Sequence, residues 1–161
     1  MPRESKKAKV ERAVEVCRRL DEKYGPVECF LDHTNPFRLV ISVLLSAQTT
    51  DAQVNRVTPE LFRRFPTPEA MAAASPEEVA KIIRSLGFYK TKARHCVQAA
   101  QAIVADFGGE VPHTMAELTS LPGVGRKTAN IVLNVSFGIV EGIAVDTHVK
   151  RIAHRLGLSP K

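Results

Sequence analysis

The sequence lacks any apolar run long enough to cross a membrane. Its longest apolar stretch, Leu39 to Leu45, is interrupted by Ser42 and falls far short of the roughly 18 to 20 residues of a membrane span. The basic start, residues 1–7, leads into an amphipathic helical pattern and not into the apolar core of a signal peptide. We therefore expect a soluble intracellular protein of one domain, or of one domain with part of a second.

Cysteine is also scarce. The three cysteines, Cys17, Cys29 and Cys96, are odd in number and far apart, which argues against a disulfide framework or a metal site. Cys17 and Cys96 fall on apolar helix faces, so we expect buried free thiols there.

Strand-like alternation of apolar and polar residues is missing as well. Hydrophobic residues make up 44% of the chain and recur with a helical period nearly everywhere, which predicts an all-α fold with a substantial core. Caps and stop signals divide the pattern into these predicted helices: Val10 to Leu20, Asn35 to Leu45, Thr50 to Phe65, Thr67 to Ala74, Ser75 to Leu86, Ala93 to Phe107, Thr114 to Thr119, Gly125 to Phe137 and Asp146 to Leu156.

The charge balance is basic, with a net charge of +6. This charge suits a polyanionic partner, although many basic proteins never bind nucleic acid.

The most informative segment is Leu121-Pro-Gly-Val-Gly-Arg-Lys127-Thr-Ala-Asn130. Its two glycines allow a sharp turn because glycine adopts positive φ at little cost. The helix that follows would point unpaired N–H groups outward, toward a phosphate oxygen, with Arg126 adding charge beside them. A lone Gly-x-Gly is more often an ordinary helix–turn–helix corner, but the extended string is far more specific.

This string closely resembles the helix-hairpin-helix of DNA repair glycosylases, specifically the endonuclease III branch of glycosylase/AP lyases. The resemblance covers roughly residues 8 to 160 in collinear order. It continues in Val43-Leu-Leu-Ser-Ala-Gln-Thr-Thr-Asp51, Gly87-Phe-Tyr-Lys-Thr-Lys-Ala93, Gly109-Glu-Val-Pro112 and Ile143-Ala-Val-Asp-Thr-His148.

The resemblance implies a helix-hairpin-helix glycosylase fold in three stretches. Residues 1–27 would be the N-terminal helix of a second domain, the one that carries an iron–sulfur cluster in this family. Residues 28–140 would form a six-helix barrel domain, with the helix-hairpin-helix at about 114–137. Residues 141–161 would begin the C-terminal part of the second domain.

The implied activity is base excision repair of oxidised pyrimidines. Lys127 would displace the base, form a Schiff base with the sugar, and nick the strand by β-elimination. Because lysine attacks only as the neutral amine, desolvation in a closed site would have to disfavour its ammonium form. Asp146 would stabilise the positive charge developing on the sugar and shuttle protons, although Asp at a helix start is also among the commonest caps. His148 is assigned no catalytic step.

The implied partner is double-stranded DNA containing a damaged base or an abasic site, bound by a monomer in the cytoplasm, at the nucleoid. Gln48 and Phe88 would fill the gap left by a flipped nucleotide. The family usually has leucine where Phe88 stands. Phe88 could equally be an aromatic residue of the core and not a wedge in the DNA. Three basic residues follow this position and could contact backbone phosphates of the DNA or simply form a solvated charged face: Lys90, Lys92 and Arg94. The hairpin residues expected at the DNA are Gly123, Val124, Gly125, Arg126 and Thr128.

The family also carries a 4Fe-4S cluster held by four cysteines, which are absent from these 161 residues. We therefore expect no metal site in this chain and suspect a truncated protein. The stripe formed by Val10, Ala13, Val14, Cys17 and Leu20 would then expose an apolar patch.

Two other functions remain open. A non-catalytic helix-hairpin-helix DNA-binding module, or an inactive fragment, would need the hairpin and the charge but not Lys127 with Asp146. A monofunctional mismatch glycosylase would lack a lysine at position 127.

Overall fold

The computed structural model describes residues 4–159, and these residues form α-helices and no strand. The predicted all-α class is therefore confirmed. The outermost residues of the two predicted terminal segments, 1–3 and 160–161, lie outside the described residues. The helices are α1 Lys6–Tyr24, α2 Pro36–Leu45, α3 Asp51–Arg64, α4 Pro68–Ala72, α5 Pro76–Ile82, α6 Tyr89–Phe107, α7 Met115–Ser120, α8 Arg126–Phe137 and α9 Thr147–Arg155.

No helix within residues 4–159 is both long enough and apolar enough to cross a membrane.

Most helix starts are fixed by side-chain caps, as predicted. The five caps Asn35, Thr50, Thr67, Ser75 and Thr114 each accept a hydrogen bond from the backbone N–H three residues later. Each such cap contributes about 1 kcal/mol, because it satisfies a donor that the helix itself leaves unpaired.

Two helices end earlier in the chain than predicted. Helix α4 ends at Ala72 and not near Ala74, and α5 ends at Ile82 and not near Leu86. After α5 the Leu86 N–H donates to the Ile83 carbonyl at 2.9 Å, closing a tight turn. Both side chains are buried at this turn.

The chain forms two compact units. The first spans residues 30–144 and contains α2 to α8. Its centre is α2, in which eight of ten residues are buried, and which packs against α3, α6 and α8.

Helix α6 carries one apolar face into the same core, where it contacts α2, α4 and α5. Ala93, Ala100 and Ile103 are fully buried there. Cys96 is a buried free thiol, as predicted, and its burial raises the pKa of the thiol to about 12.

The second unit joins α1 to α9, and the structure describes its residues 4–29 and 145–159. The Arg12 guanidinium donates to the Leu156 carbonyl. Helix α1 has no buried residue, and Val14 is 63% exposed. The predicted burial of Cys17 is wrong, because the structure leaves its side chain exposed, as it does that of Val14.

Thiol alkylation should separate Cys17 from Cys96. We expect Cys17 to react under native conditions at the rate of an unstructured peptide. Cys96 should react only when α6 opens, since the buried thiol stays protonated and unreachable. Mass spectrometry of labelled peptides across a urea series measures both rates. Equal native rates would contradict the packing of α6 described above.

Candidate nucleic-acid interface

The turn between α7 and α8 is held by backbone geometry. The Val124 N–H donates to the Leu121 carbonyl at 3.0 Å. Gly123 has φ +81°, and a Cβ built there would lie 2.9 Å from Cγ of His95 on α6. Both the conformation and the space therefore require glycine at position 123.

Gly125 and Val124 of the same turn differ from expectation. Gly125 has φ −94°, so only one of the two hairpin glycines adopts the left-handed conformation. The side chain of Val124 is 6% exposed and its N–H is used within the turn. Any contact of Val124 with DNA would therefore have to come from its remaining backbone atoms.

Helix α8 begins without a side-chain cap, at Gly125. Arg126 and Lys127 are exposed on its first turn, and Thr128 is half-buried. An uncapped N-terminus presents N–H groups and the positive end of the helix dipole to solvent. This arrangement can accept an anion such as a phosphate.

Gln48 and Phe88 share an unusual backbone conformation. With φ of 53° and 55°, they are the non-glycine residues of positive φ within residues 4–159. Each such residue costs about 1–3 kcal/mol and persists only where its surroundings enforce it. Both side chains are exposed, Phe88 by 69%. Phe88 is therefore not a core aromatic, which removes one of the two alternatives considered for it.

Phe88 is also the N-cap residue of α6, the other helix that begins without a side-chain cap. A cleft of about 520 Å³ lies beside this start, between α5 and α6. The basic residues that line it are Lys81, Arg84, Lys90 and Arg94. Positive charge and unpaired N–H groups thus coincide near the exposed Phe88.

Sequence reasoning misread Lys92. This lysine is buried, with 5% of its surface exposed, so neither a phosphate contact nor a solvated face describes it. Its Nζ donates to Oγ1 of Thr49 at 2.5 Å. The signal was available, since Lys92 stands four residues before Cys96 and eleven before Ile103, on the apolar face of α6.

Asp146 belongs to the second unit, where it caps α9. Its Oδ1 accepts from the Val149 N–H at 2.7 Å, which bears out the capping role considered for it. His148, on the same turn, is exposed and lies 3.0 Å from a guanidinium nitrogen of Arg151. The catalytic role of Asp146 stays a prediction.

The cysteines do not fit a 4Fe-4S cluster. Such a cluster takes four cysteine thiolates, and the chain has three cysteines. Cys17 is exposed, Cys29 is half-buried and Cys96 is buried. Within residues 4–159, no three His, Cys, Asp or Glu side chains are grouped as metal ligands.

Alanine substitutions at the two hairpin glycines should have different effects. We expect Gly123→Ala to lower the free energy of unfolding by about 1–3 kcal/mol, because it strains φ and displaces His95. Gly125→Ala meets no atom within 4 Å and should cost at most about 1 kcal/mol, while weakening phosphate binding at the helix start. Urea denaturation and titration of labelled duplex DNA measure the two effects. Equal destabilisation would contradict the assignment of strain to Gly123.

Comparison with known proteins agrees with this geometry. Residues 41–161 match a family model described as HhH-GPD superfamily base excision DNA repair protein. Endonuclease III of Synechocystis sp. is 47% identical over 152 residues, which are 94% of this chain and 69% of that protein. Endonuclease III of Bacillus subtilis is 49% identical over 148 residues, 91% of this chain and 67% of that protein.

The fold is similar to solved structures of the same family. The structure of a trapped endonuclease III–DNA covalent intermediate is 44% identical, with a TM-score of 0.88. The match covers 93% of this chain and 70% of that chain. The resemblance inferred from the motifs is thereby confirmed, and the chain belongs to the endonuclease III family of helix-hairpin-helix base excision repair proteins.

Proposed function

We propose that this chain is a base excision repair DNA glycosylase with AP lyase activity, acting on double-stranded DNA that contains an oxidised pyrimidine or an abasic site. The observation that carries the proposal is the exposed Lys127 on the first turn of the uncapped hairpin helix of an endonuclease III family member. A DNA-binding module would need the uncapped helix but not a lysine beside it. A cytoplasmic location at the nucleoid follows from the substrate.

The hairpin holds one strand by its phosphates. The free N–H groups at the start of α8 bind a phosphate oxygen, and Arg126 adds a charge-assisted contact. Such contacts carry no sequence information, which suits an enzyme that must find damage in any sequence.

Gln48 and Phe88 fill the space left by the flipped nucleotide. They belong to two turns, the Gln48 turn (residues 46–49) and the Phe88 turn (residues 83–88). A base inside a duplex is unreachable, so the enzyme must extrude it at a cost of a few kcal/mol. An exposed aromatic side chain offsets part of this cost by stacking on the neighbouring bases, at about 1–3 kcal/mol per base. Gln48 would contact the base left unpaired in the opposite strand.

Lys127 is the proposed nucleophile. Its neutral amine attacks C1′, and the base leaves with the electron pair of the glycosidic bond and takes up a proton. Opening of the sugar ring gives a Schiff base between Nζ and C1′. Loss of a proton from C2′ then expels the 3′ phosphate, and water releases the lysine. Asp146 would stabilise the positive charge on the sugar and accept protons from the amine.

The desolvation that this chemistry needs is not provided by the described residues, since Lys127 is exposed. The bound DNA must therefore displace water from the amine. The reaction would start only once the damaged nucleotide covers Lys127.

Borohydride reduction should trap the protein covalently on a duplex containing one abasic site. Reduction of the Schiff base gives a stable amine, so an adduct should be visible by denaturing electrophoresis. We expect the adduct to disappear in Lys127→Gln, which keeps a polar side chain of similar length but has no nucleophilic amine. Lys23→Gln, a change of the same kind on the exposed surface of α1, should trap like the wild type.

Asp146→Asn provides a second comparison in the same assay. The amide retains an oxygen that can cap α9, so the melting temperature should change little while turnover falls. An adduct that survives in Lys127→Gln would disprove the proposed nucleophile. DNA binding without any wild-type adduct would identify a binding module.

The side chain at position 88 should control excision from duplex DNA. Phe88→Ala removes the stacking surface, and we expect excision of a damaged base from duplex to slow about ten-fold or more. Phe88→Leu keeps an apolar wedge and should retain most of the rate. Single-turnover excision rates measure both, and equal rates for the two variants would contradict the wedge role.

A further inference from the structure

Lys92 contacts both turns that carry the residues proposed to enter the DNA. It lies on α6, and its backbone N–H donates to the Phe88 carbonyl at 3.0 Å. Its Nζ donates to Oγ1 of Thr49 at 2.5 Å. Thr49 directly follows Gln48, so one residue joins the Phe88 turn to the Gln48 turn.

The Thr49 end of this connection is itself part of the Gln48 turn. The Thr49 N–H donates to the Ser46 carbonyl at 3.0 Å, and the Thr49 hydroxyl donates to the Ala47 carbonyl at 3.4 Å. These two bonds tie Thr49 to the residues that precede Gln48. Lys92 fixes the position of Thr49 from the side of α6.

Stability alone does not explain a lysine at this position. Desolvation lowers the pKa of the Lys92 ammonium, which means that burial disfavours its charge. Among residues 4–159, no carboxylate lies within ion-pair distance of its Nζ. Burying a cation whose hydrogen-bond partner is a neutral hydroxyl costs free energy that an apolar side chain would not.

We propose that Lys92 is a positioning residue that fixes the Gln48 turn relative to the Phe88 turn, so that both side chains act at the same base-pair step. The inference rests on the proposed function, because it assigns Lys92 to the base-flipping stage of that reaction. Lys92 is buried and would act through Thr49, not on the substrate itself. Its loss should therefore slow extrusion and leave the chemistry at an already accessible sugar unchanged.

The pair Lys92 and Thr49 allows a matched test in the full 161-residue chain. Lys92→Met keeps the buried stem and removes the donor. Thr49→Val removes the acceptor at nearly constant volume, and Thr49→Ser keeps it. Single-turnover excision is measured on a duplex with one oxidised pyrimidine, and β-elimination is measured on a single strand with one abasic site.

We expect duplex excision to fall about 10- to 100-fold in Lys92→Met and in Thr49→Val, the range for losing a hydrogen bond to a charged group. Thr49→Ser should restore the rate. The double variant Lys92→Met/Thr49→Val should be no slower than either single variant, because both remove the same interaction. Single-strand elimination should stay within two-fold of wild type, and the melting temperature of Lys92→Met should not fall.

Several outcomes would overturn the inference. Excision by Thr49→Val at the rate of Thr49→Ser would show that the hydrogen bond has no positioning role. Equal losses on duplex and single strand in Lys92→Met would assign Lys92 to the chemistry or to the fold. If the slope of log binding constant against log salt concentration for duplex DNA were smaller by about one in Lys92→Met than in wild type, Lys92 would be a phosphate contact instead.

The same assay separates this inference from the proposed function. If wild-type protein excises the base and traps on abasic DNA but the Thr49 variants do not differ, only the role of Lys92 is wrong. If wild-type protein neither excises nor traps, the proposed function fails, and the role of Lys92 in base flipping fails with it.

Discussion

The burial of one face of α6 is the constraint on which the candidate interface depends. Its buried side chains fix how α6 is rotated about its axis and where it lies along that axis; they include Ala93, Cys96 and Ile103. That placement sets Phe88 at its start and, through Lys92, the turn at Gln48. On the next turn, His95 lies against Gly123 of the hairpin. One packed helix therefore positions three turns that are far apart in sequence.

The exposed side of this arrangement works against stability. Gln48 and Phe88 hold left-handed backbone, Phe88 presents an aromatic ring to water, and α6 and α8 begin without side-chain caps. Each feature costs from a few tenths to about 3 kcal/mol. The core supplies the free energy that maintains them, since a fully buried aliphatic side chain contributes about 1.5–3 kcal/mol. Local cost concentrated on one set of turns is typical of a functional surface.

Features that depend on near neighbours in sequence were predictable. The caps at Asn35, Ser75 and Thr114 act over three residues, so the helices they open could be read directly. The hairpin motif was equally local. The exposure of Cys17 was not predicted, because it depends on which other segments cover a helix face. The burial of Lys92 was missed although its spacing from Cys96 and Ile103 places it on the apolar face of α6. The left-handed conformation of Phe88 gave no local signal, since phenylalanine rarely adopts it.

The hairpin carries both the proposed phosphate-binding turn and the proposed nucleophile Lys127. Its shape is set by Gly123 and by buried Val124. Lys127 stands on the same turn and is exposed to water. Under the proposed function, the hairpin would hold undamaged DNA by its phosphates without reacting. In the proposed reaction, attack would require a nucleotide turned out far enough to displace that water, so extrusion would control the timing of the lysine chemistry. The geometry of the Gln48 and Phe88 turns would then govern extrusion under the proposed function, and would contribute to the selection of damaged bases as much as any contact to the base itself.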